Sequence, residues 1–238
     1  MSSWLRHRSN REPEPTRPHP PDVPAGAPNK RFGALLSDEV RPYLKAHGFA
    51  KSGATFVRLR RPLFDVVAFQ GNKWNGLGRD RHGFFVNVGV GSDDVHGPVA
   101  GKRPTVHDCV VKGRWEDFAE DAPPEVEIFL DTDDEALAGQ VRRHLTTVLA
   151  RMDAIDATDA LVDLAVATNW LHRMEWTCAY LAGIGDGGRL SSYVGALRGR
   201  FGEEGRWEIF NRRLSAAVGP TYANVLREQG LLDDPRRP

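Results

Sequence analysis

The chain has 238 residues, with 32 Lys plus Arg set against 32 Asp plus Glu, and 40% of its residues are hydrophobic. A formal charge of zero excludes a polybasic coating protein and an acidic solvating tail, and the apolar fraction excludes collagen-like, coiled-coil and wholly disordered chains. What remains is a globular protein of mixed α and β type, with apolar material for a packed core of about 150 to 200 residues.

Residues 1–29 hold seven of the 16 prolines and almost no apolar residue after Leu5. Such a segment cannot bury enough surface to offset its ordering entropy, so a disordered Pro-rich leader is expected there. From Phe32 the pattern changes, and Phe32, Leu35, Leu36, Val40, Tyr43 and Leu44 repeat at spacings of three and four. That is an amphipathic helix ended by His47-Gly48, with Pro42 inside it to kink or restart it. Three β-like runs follow at Thr55–Arg60, Phe64–Gln70 and Phe84–Val90, with Phe84, Val86, Val88 and Val90 sharing one face. Arg61-Pro62 makes the first turn tight, whereas residues 71–83 form a longer, basic, glycine-rich connection, and an antiparallel meander results.

Two more strands are expected at Val106–Val111 and Val126–Leu130. Thr132 and Glu135 then have the spacing of a capping box for a helix with an apolar stripe of Leu137, Val141, Leu145, Val148 and Met152. A second helix is predicted from Asp159 to Leu181, with Leu161, Leu164, Leu171, Met174 and Cys178 facing inward. Helical patterns resume at Leu190–Phe201, Trp207–Val218 and Pro220–Gln229, where Gly230 ends the last. The order predicts an α+β fold: an antiparallel sheet of about five strands with an N-terminal helix and a C-terminal helical layer. Its organisation would be a leader over 1–29, an α+β domain over 30–155 and a helical extension over 156–238 packed on it.

Cys109 and Cys178 lie far apart with no CxxC pair, so neither a disulfide scaffold nor a zinc ribbon is expected. No signal-peptide stretch and no window of about 18 consecutive apolar residues occurs, which predicts a cytoplasmic location and no membrane span.

One sequence pattern is familiar. Leu44 to Arg58 reads as a helix ending in Gly48-Phe49, then Lys51, Gly53, Thr55 and Phe56 leading into a strand; Phe69-Gln70 and Phe85-Val86-Asn87-Val88-Gly89 follow. This resembles a bacterial family, the domain-of-unknown-function family 4304, over about residues 32–153. The resemblance implies an α+β fold and a cytoplasmic location, with no established activity and no catalytic residue to carry over.

Several constellations name chemistry without the context it needs. Gly183 to Gly188 spells GxGxxG, but it follows a helical pattern where a dinucleotide site requires a strand, and it reads as an interhelical loop. Asp131, Asp133, Asp134 and Glu135 crowd as hard-cation ligands do, yet they sit where a helix begins and the helix dipole favours acids. His107, Asp108 and Cys109 have the residue types of a thiol nucleophile with its base, but a strand would point Asp108 away from the other two. His82, His96, His144 and His172 lack zinc-binding spacing, so no metal and no cofactor is expected.

The connection over residues 71–83 is the leading candidate, because it places Lys73, Trp74, Arg79 and Arg81 at one end of two neighbouring strands. Arginine forks and an exposed indole suit an acidic peptide, a phosphate or a splayed base. Gln70, Asn87, Arg114 and Trp115 complete the expected contact set. The charge is uneven along the chain: residues 30–114 carry 15 basic against 7 acidic residues, and 115–163 carry 3 against 14. Those regions would attract a charged partner or each other, within a screening length of about 8 Å. The sequence thus reads as a binding or interaction module without a catalytic site, in an immunity or toxin-neutralising role. Its alternatives are nucleic-acid or phosphate-ligand binding through the basic loop, and a hydrolase-type enzyme using Asp131 or His107.

Overall fold

The structure is a computed structural model that describes residues 27–75, 80–97, 102–168 and 170–234, the side chain of His96 excepted. Residues 1–26 of the proline-rich leader lie outside that set, and the first helix, α1 (Ala27–Ala34), starts within its last three positions.

Alternating β-branched and aromatic residues build β2 (Thr55–Arg60), β3 (Leu63–Gly71) and β4 (Arg81–Ser92) into the expected meander. The short strand β1 (Ala50–Ser52) adds to β2, and β5 (Val111–Arg114) and β6 (Val126–Phe129) both pair with β4. All pairings are antiparallel, in the order β1-β2-β3-β4-β5, and β6 shares the free edge of β4 with β5. The 12 residues of β4 make this possible: Asn87–Val90 meet β5 and Arg81–Phe84 meet β6. The fold is therefore α+β, with helices before and after an antiparallel sheet.

Phe84, Val86, Val88 and Val90 point inward and are completely buried, as their alternation predicts. They pack under the N-terminal helical segment and under α4 (Asp134–Asp153), whose Val141, Leu145, Val148 and Met152 share the same core. Ahead of α4 the N-terminal segment has three parts, α1, a π-helical stretch (Leu35–Val40) and α2 (Arg41–Ala46), and a short helix α3 (Asp93–His96) follows β4. Val40 and Arg41 keep helical dihedral angles, so the helix runs on through Pro42, and the wider π turns just before it accommodate the proline.

Three sequence expectations need correction. Residues 106–111 are not a strand, because Thr105 caps a 3-10 turn (Val106–Asp108) and the paired strand begins only at Val111. The cap of α4 is Asp133, whose carboxylate accepts from the N–H groups of Glu135 and Ala136, while Thr132 Oγ1 instead accepts from Phe129 N at 2.7 Å. The helix predicted over 159–181 is two, α5 (Thr158–Ala167) and α6 (Met174–Gly183). The break includes Arg173 in a left-handed conformation (φ 58°), a backbone state that periodicity of apolar residues does not reveal.

Helices α7 (Gly187–Phe201) and α8 (Trp207–Glu228) follow, and Gly219, at φ 73°, breaks α8 immediately before Pro220. This agrees with the separate patterns expected on either side. Apolar side chains from Leu35 through Leu232 form one continuous core cluster. No helix among the described residues is long and apolar enough to cross a membrane.

Candidate functional site

Strand alternation that turns the valines of β4 inward turns Arg81, Phe85 and Asn87 outward, together with Ala68 and Gln70 on β3 and Lys112 and Arg114 on β5. One end of this outer face is roofed by the 3-10 turn, where Val106 and Cys109 cover Val57, Phe64 and Val66. Gly89 permits that roof, since a Cβ there would lie 2.8 Å from Cys109 Sγ. Beyond the roof Phe85, Asn87 and Arg114 are only half-buried.

These residues form a small recognition platform. The side-chain amide of Asn87 donates to Gln70 Oε1 across the two strands at 3.1 Å. In the next register position the guanidinium of Arg114 lies 4.4 Å from the centre of the Phe85 ring. A cation over an aromatic face is held in place while its charge stays uncancelled. Arg114 Nη1 is shielded from water and has no hydrogen-bond partner, and among the described residues Arg114 makes no salt bridge. Phe85 was not an expected site residue; its signal was an aromatic placed out of phase with the inward-facing valines.

The connection over 71–83 borders this platform at the β3–β4 end. Asn75 pins its neck, accepting from Gly83 N and donating to Gly83 O at 2.8 Å each. Asn72 accepts from Trp74 N at 3.0 Å and donates to Glu125. Beyond this frame Trp74 is 54% exposed, with Lys73 Nζ 4.7 Å from its ring centre. Arg79 lies outside the described residues. Arg81 is committed, donating to Glu127 on β6 at 2.9 Å. Trp115 requires a correction: it is 1% exposed, its indole N–H donates to Pro123 O at 2.6 Å, and it packs edge-on to His144. It supports the core and cannot touch a partner.

Much of the charge asymmetry is consumed internally. Arg31 reaches from α1 to Asp134 and the carbonyls of Phe129 and Leu130, Arg58 pairs with Asp153, and Arg81 with Glu127. Each pair joins the basic segment to the acidic one. Lys73, Lys112 and Arg114 are among the cations left for the outer face.

The other constellations resolve as structure. Asp186, in the GxGxxG segment, caps α7 and is held below the usual carboxylate range by hydrogen bonds from Arg189, first from its main-chain N–H and then from its side chain. Within the acidic cluster Asp133 caps α4 and Asp134 holds Arg31, and no group of three potential metal ligands occurs among the described residues. Cys109 is sealed and burial pushes its thiol well above the ordinary range, while Asp108 accepts from the N–H and hydroxyl of Thr105. His82 stacks on Phe32 at 4.6 Å and burial lowers its pKa. A groove of about 1320 Å³ beside α7 and α8 is tied across by Asp233, which accepts from the Trp207 indole at 2.8 Å and pairs with Arg198.

A polar cluster absent from the sequence expectations lies on the inner face. Asp65 is completely buried between Arg58 and Arg60, bonded at 2.7 to 2.8 Å, and Arg60 also donates to the carbonyls of Met152 and Ile155 near the end of α4. Its sequence signal was an acid within an apolar strand opposite alternate arginines.

A family model described as a domain of unknown function (DUF4304) matches residues 40–176, more than half of the chain. The match takes in all six strands, α4, α5 and the first turn of α6. No curated protein and no solved structure matches the chain.

Proposed function

For a chain that belongs to the domain-of-unknown-function family 4304, we propose a binding role in which the outer face of the sheet docks a partner protein with an acidic contact surface. The observation that carries it is Arg114, stacked on Phe85 and without an ion-pair partner among the described residues, beside the Gln70–Asn87 amide pair. An arginine held against an aromatic ring loses little freedom on meeting a carboxylate, and its fork recognises that group through two parallel bonds. Trp74 and Lys73 at the rim supply the exposed indole and further charge typical of contact hot spots. Neutralisation of a toxin is the partnership the sequence reading favours, and an adjacent toxin gene would single it out.

The test uses the full chain as bait in extract of its native cell, followed by titration of the purified partner. Arg114→Glu and Trp74→Ala should each weaken association at least tenfold, about 1.4 kcal/mol, with unchanged thermal stability. A partner that both variants hold as tightly as the parent refutes the reading. So does binding to nucleic-acid probes alone with a steep salt dependence, which would give the face to a polyanion.

A further inference from the structure

Past the roofed end of the outer face, the turn before β5 meets the segment leading into α6, and nitrogen-bearing side chains crowd together. Lys112 Nζ lies 3.4 Å from His107 Nδ1. The main-chain carbonyl of His107 accepts from Arg173 twice, from Nε at 3.0 Å and Nη2 at 2.8 Å. Arg173 is placed there by its left-handed backbone and by its guanidinium, 3.9 Å from the centre of the Trp176 ring. Such a conformation in a non-glycine residue persists only where its surroundings over-determine it. Neighbouring His172 carries an Nε2 that is shielded from water and has no hydrogen-bond partner.

Among the described residues, the largest effects of charge at His172 come from bases. Burial first, then Lys112, Arg173 and His107, lower its pKa to about 4, against a main-chain hydrogen bond at His107 that raises it. The carboxylates adjacent in sequence are engaged: Asp108 with Thr105, and Glu175 with Arg213. Near neutral pH His172 is therefore uncharged and Lys112, whose ammonium can only donate to His107 Nδ1, and Arg173 carry the positive charge, which an anion placed beside them would offset.

We propose that Lys112, His107, His172 and Arg173 form a binding site for a phosphate-type dianion. The ammonium of Lys112 supplies a point charge, and the guanidinium of Arg173 is oriented by the carbonyl it already grips on one edge. The imidazoles of His107 and His172 supply further ring nitrogens. The site goes beyond the partner surface: it shares β5 with Arg114 but uses none of the Arg114, Phe85, Gln70 or Asn87 side chains.

The test is thermal unfolding of the full chain near neutral pH in inorganic phosphate, up to about 20 mM, against chloride at matched ionic strength. A millimolar dissociation constant is well covered by that range. Histidine ring resonances are followed in the same titration. Phosphate should raise the melting temperature and shift the His107 and His172 signals. Both effects should weaken at least tenfold in apparent affinity in Lys112→Glu and in the milder Lys112→Gln, and persist in Arg114→Glu, which separates this site from the partner face. A parallel arm compares a phosphoserine peptide with its unphosphorylated form; tighter binding of the former than of free phosphate identifies a protein-borne group, and equal binding a small phosphate. Absence of any phosphate-specific stabilisation or histidine shift overturns the proposal, as does a full response in both Lys112 variants.

Discussion

Replacing Asp65 by Asn removes one charge from the most deeply buried ionic cluster in the described structure while nearly preserving its shape. Asp65 is completely buried and accepts three charge-assisted bonds, from Arg58 Nε at 2.7 Å, Arg60 Nε at 2.8 Å and Arg60 Nη2 at 2.7 Å. The side chains of Arg58 and Arg60 retain only 12% and 22% of their exposure, so water cannot fully replace the lost carboxylate. Breaking a buried pair from one side costs about 3–5 kcal/mol, because the other charge is left uncompensated. Here Arg58 keeps Asp153, and Arg60 keeps the carbonyls of Met152 and Ile155, which places the expected loss near the lower end, about 3 kcal/mol. For a chain of this size that corresponds to a fall in melting temperature of about 6–12 °C. Asp153→Asn is the internal control: its side chain is 51% exposed, so the same chemical change should cost at most about 1 kcal/mol. Urea unfolding at neutral pH, with unchanged m-value, measures both variants. A loss below about 1 kcal/mol for Asp65→Asn, or equal losses for the two variants, would refute the argument that burial sets the magnitude.

Three further outcomes are expected. Gly89→Ala drives a methyl against Cys109 and the carbonyl of Val111, which should cost about 1–3 kcal/mol and lift the roof of the outer face, so that Cys109 becomes reactive to a thiol reagent that leaves the parent untouched; an inert thiol in a stable variant contradicts this. His172 has an ordinary pKa of 6.5 when unfolded and about 4 when folded, so the unfolded chain binds the extra proton between those values. The stability that neutral His172 contributes is therefore complete above about pH 6.5 and lost as pH falls towards 4, and calorimetry should show His172→Gln lacking that part of the slope; parallel slopes would dispose of it. Finally, Asp133→Ala should destabilise by about 1 kcal/mol through loss of the α4 cap, whereas Glu135→Ala should be near neutral in urea unfolding because no Thr132–Glu135 box exists.

The sheet was legible in the sequence wherever one face is buried. Alternation at Phe84, Val86, Val88 and Val90 suffices because each inward position needs an apolar side chain regardless of what packs on it. Gly219-Pro220 likewise announced the break in α8, since left-handed backbone followed by a residue lacking an N–H is a local demand. The signal failed where distant groups decide the local conformation. Residues 106–111 contain enough β-branched residues for a strand, but Thr105 and the bare backbone of Gly89 turn them into a capped roof. Trp115 looked like a surface aromatic in an acidic loop, and only its bond to Pro123 and contact with His144 put it in the core.

The site shows the same division. Gln70, Asn87 and Arg114 could be singled out from residue type, but nothing along the chain indicated that Arg114 lies over Phe85 or that the amides bond to each other. By itself the sequence determined most of the elements, the alternation of the central strands and the family, all of which depend on neighbours a few positions apart. The tertiary structure alone decided which of its many arginines are neutralised, because pairs such as Arg31–Asp134 and Arg58–Asp153 join residues about a hundred positions apart. A charge is free or spoken for according to what folding brings within about 4 Å, and linear spacing carries no record of that distance.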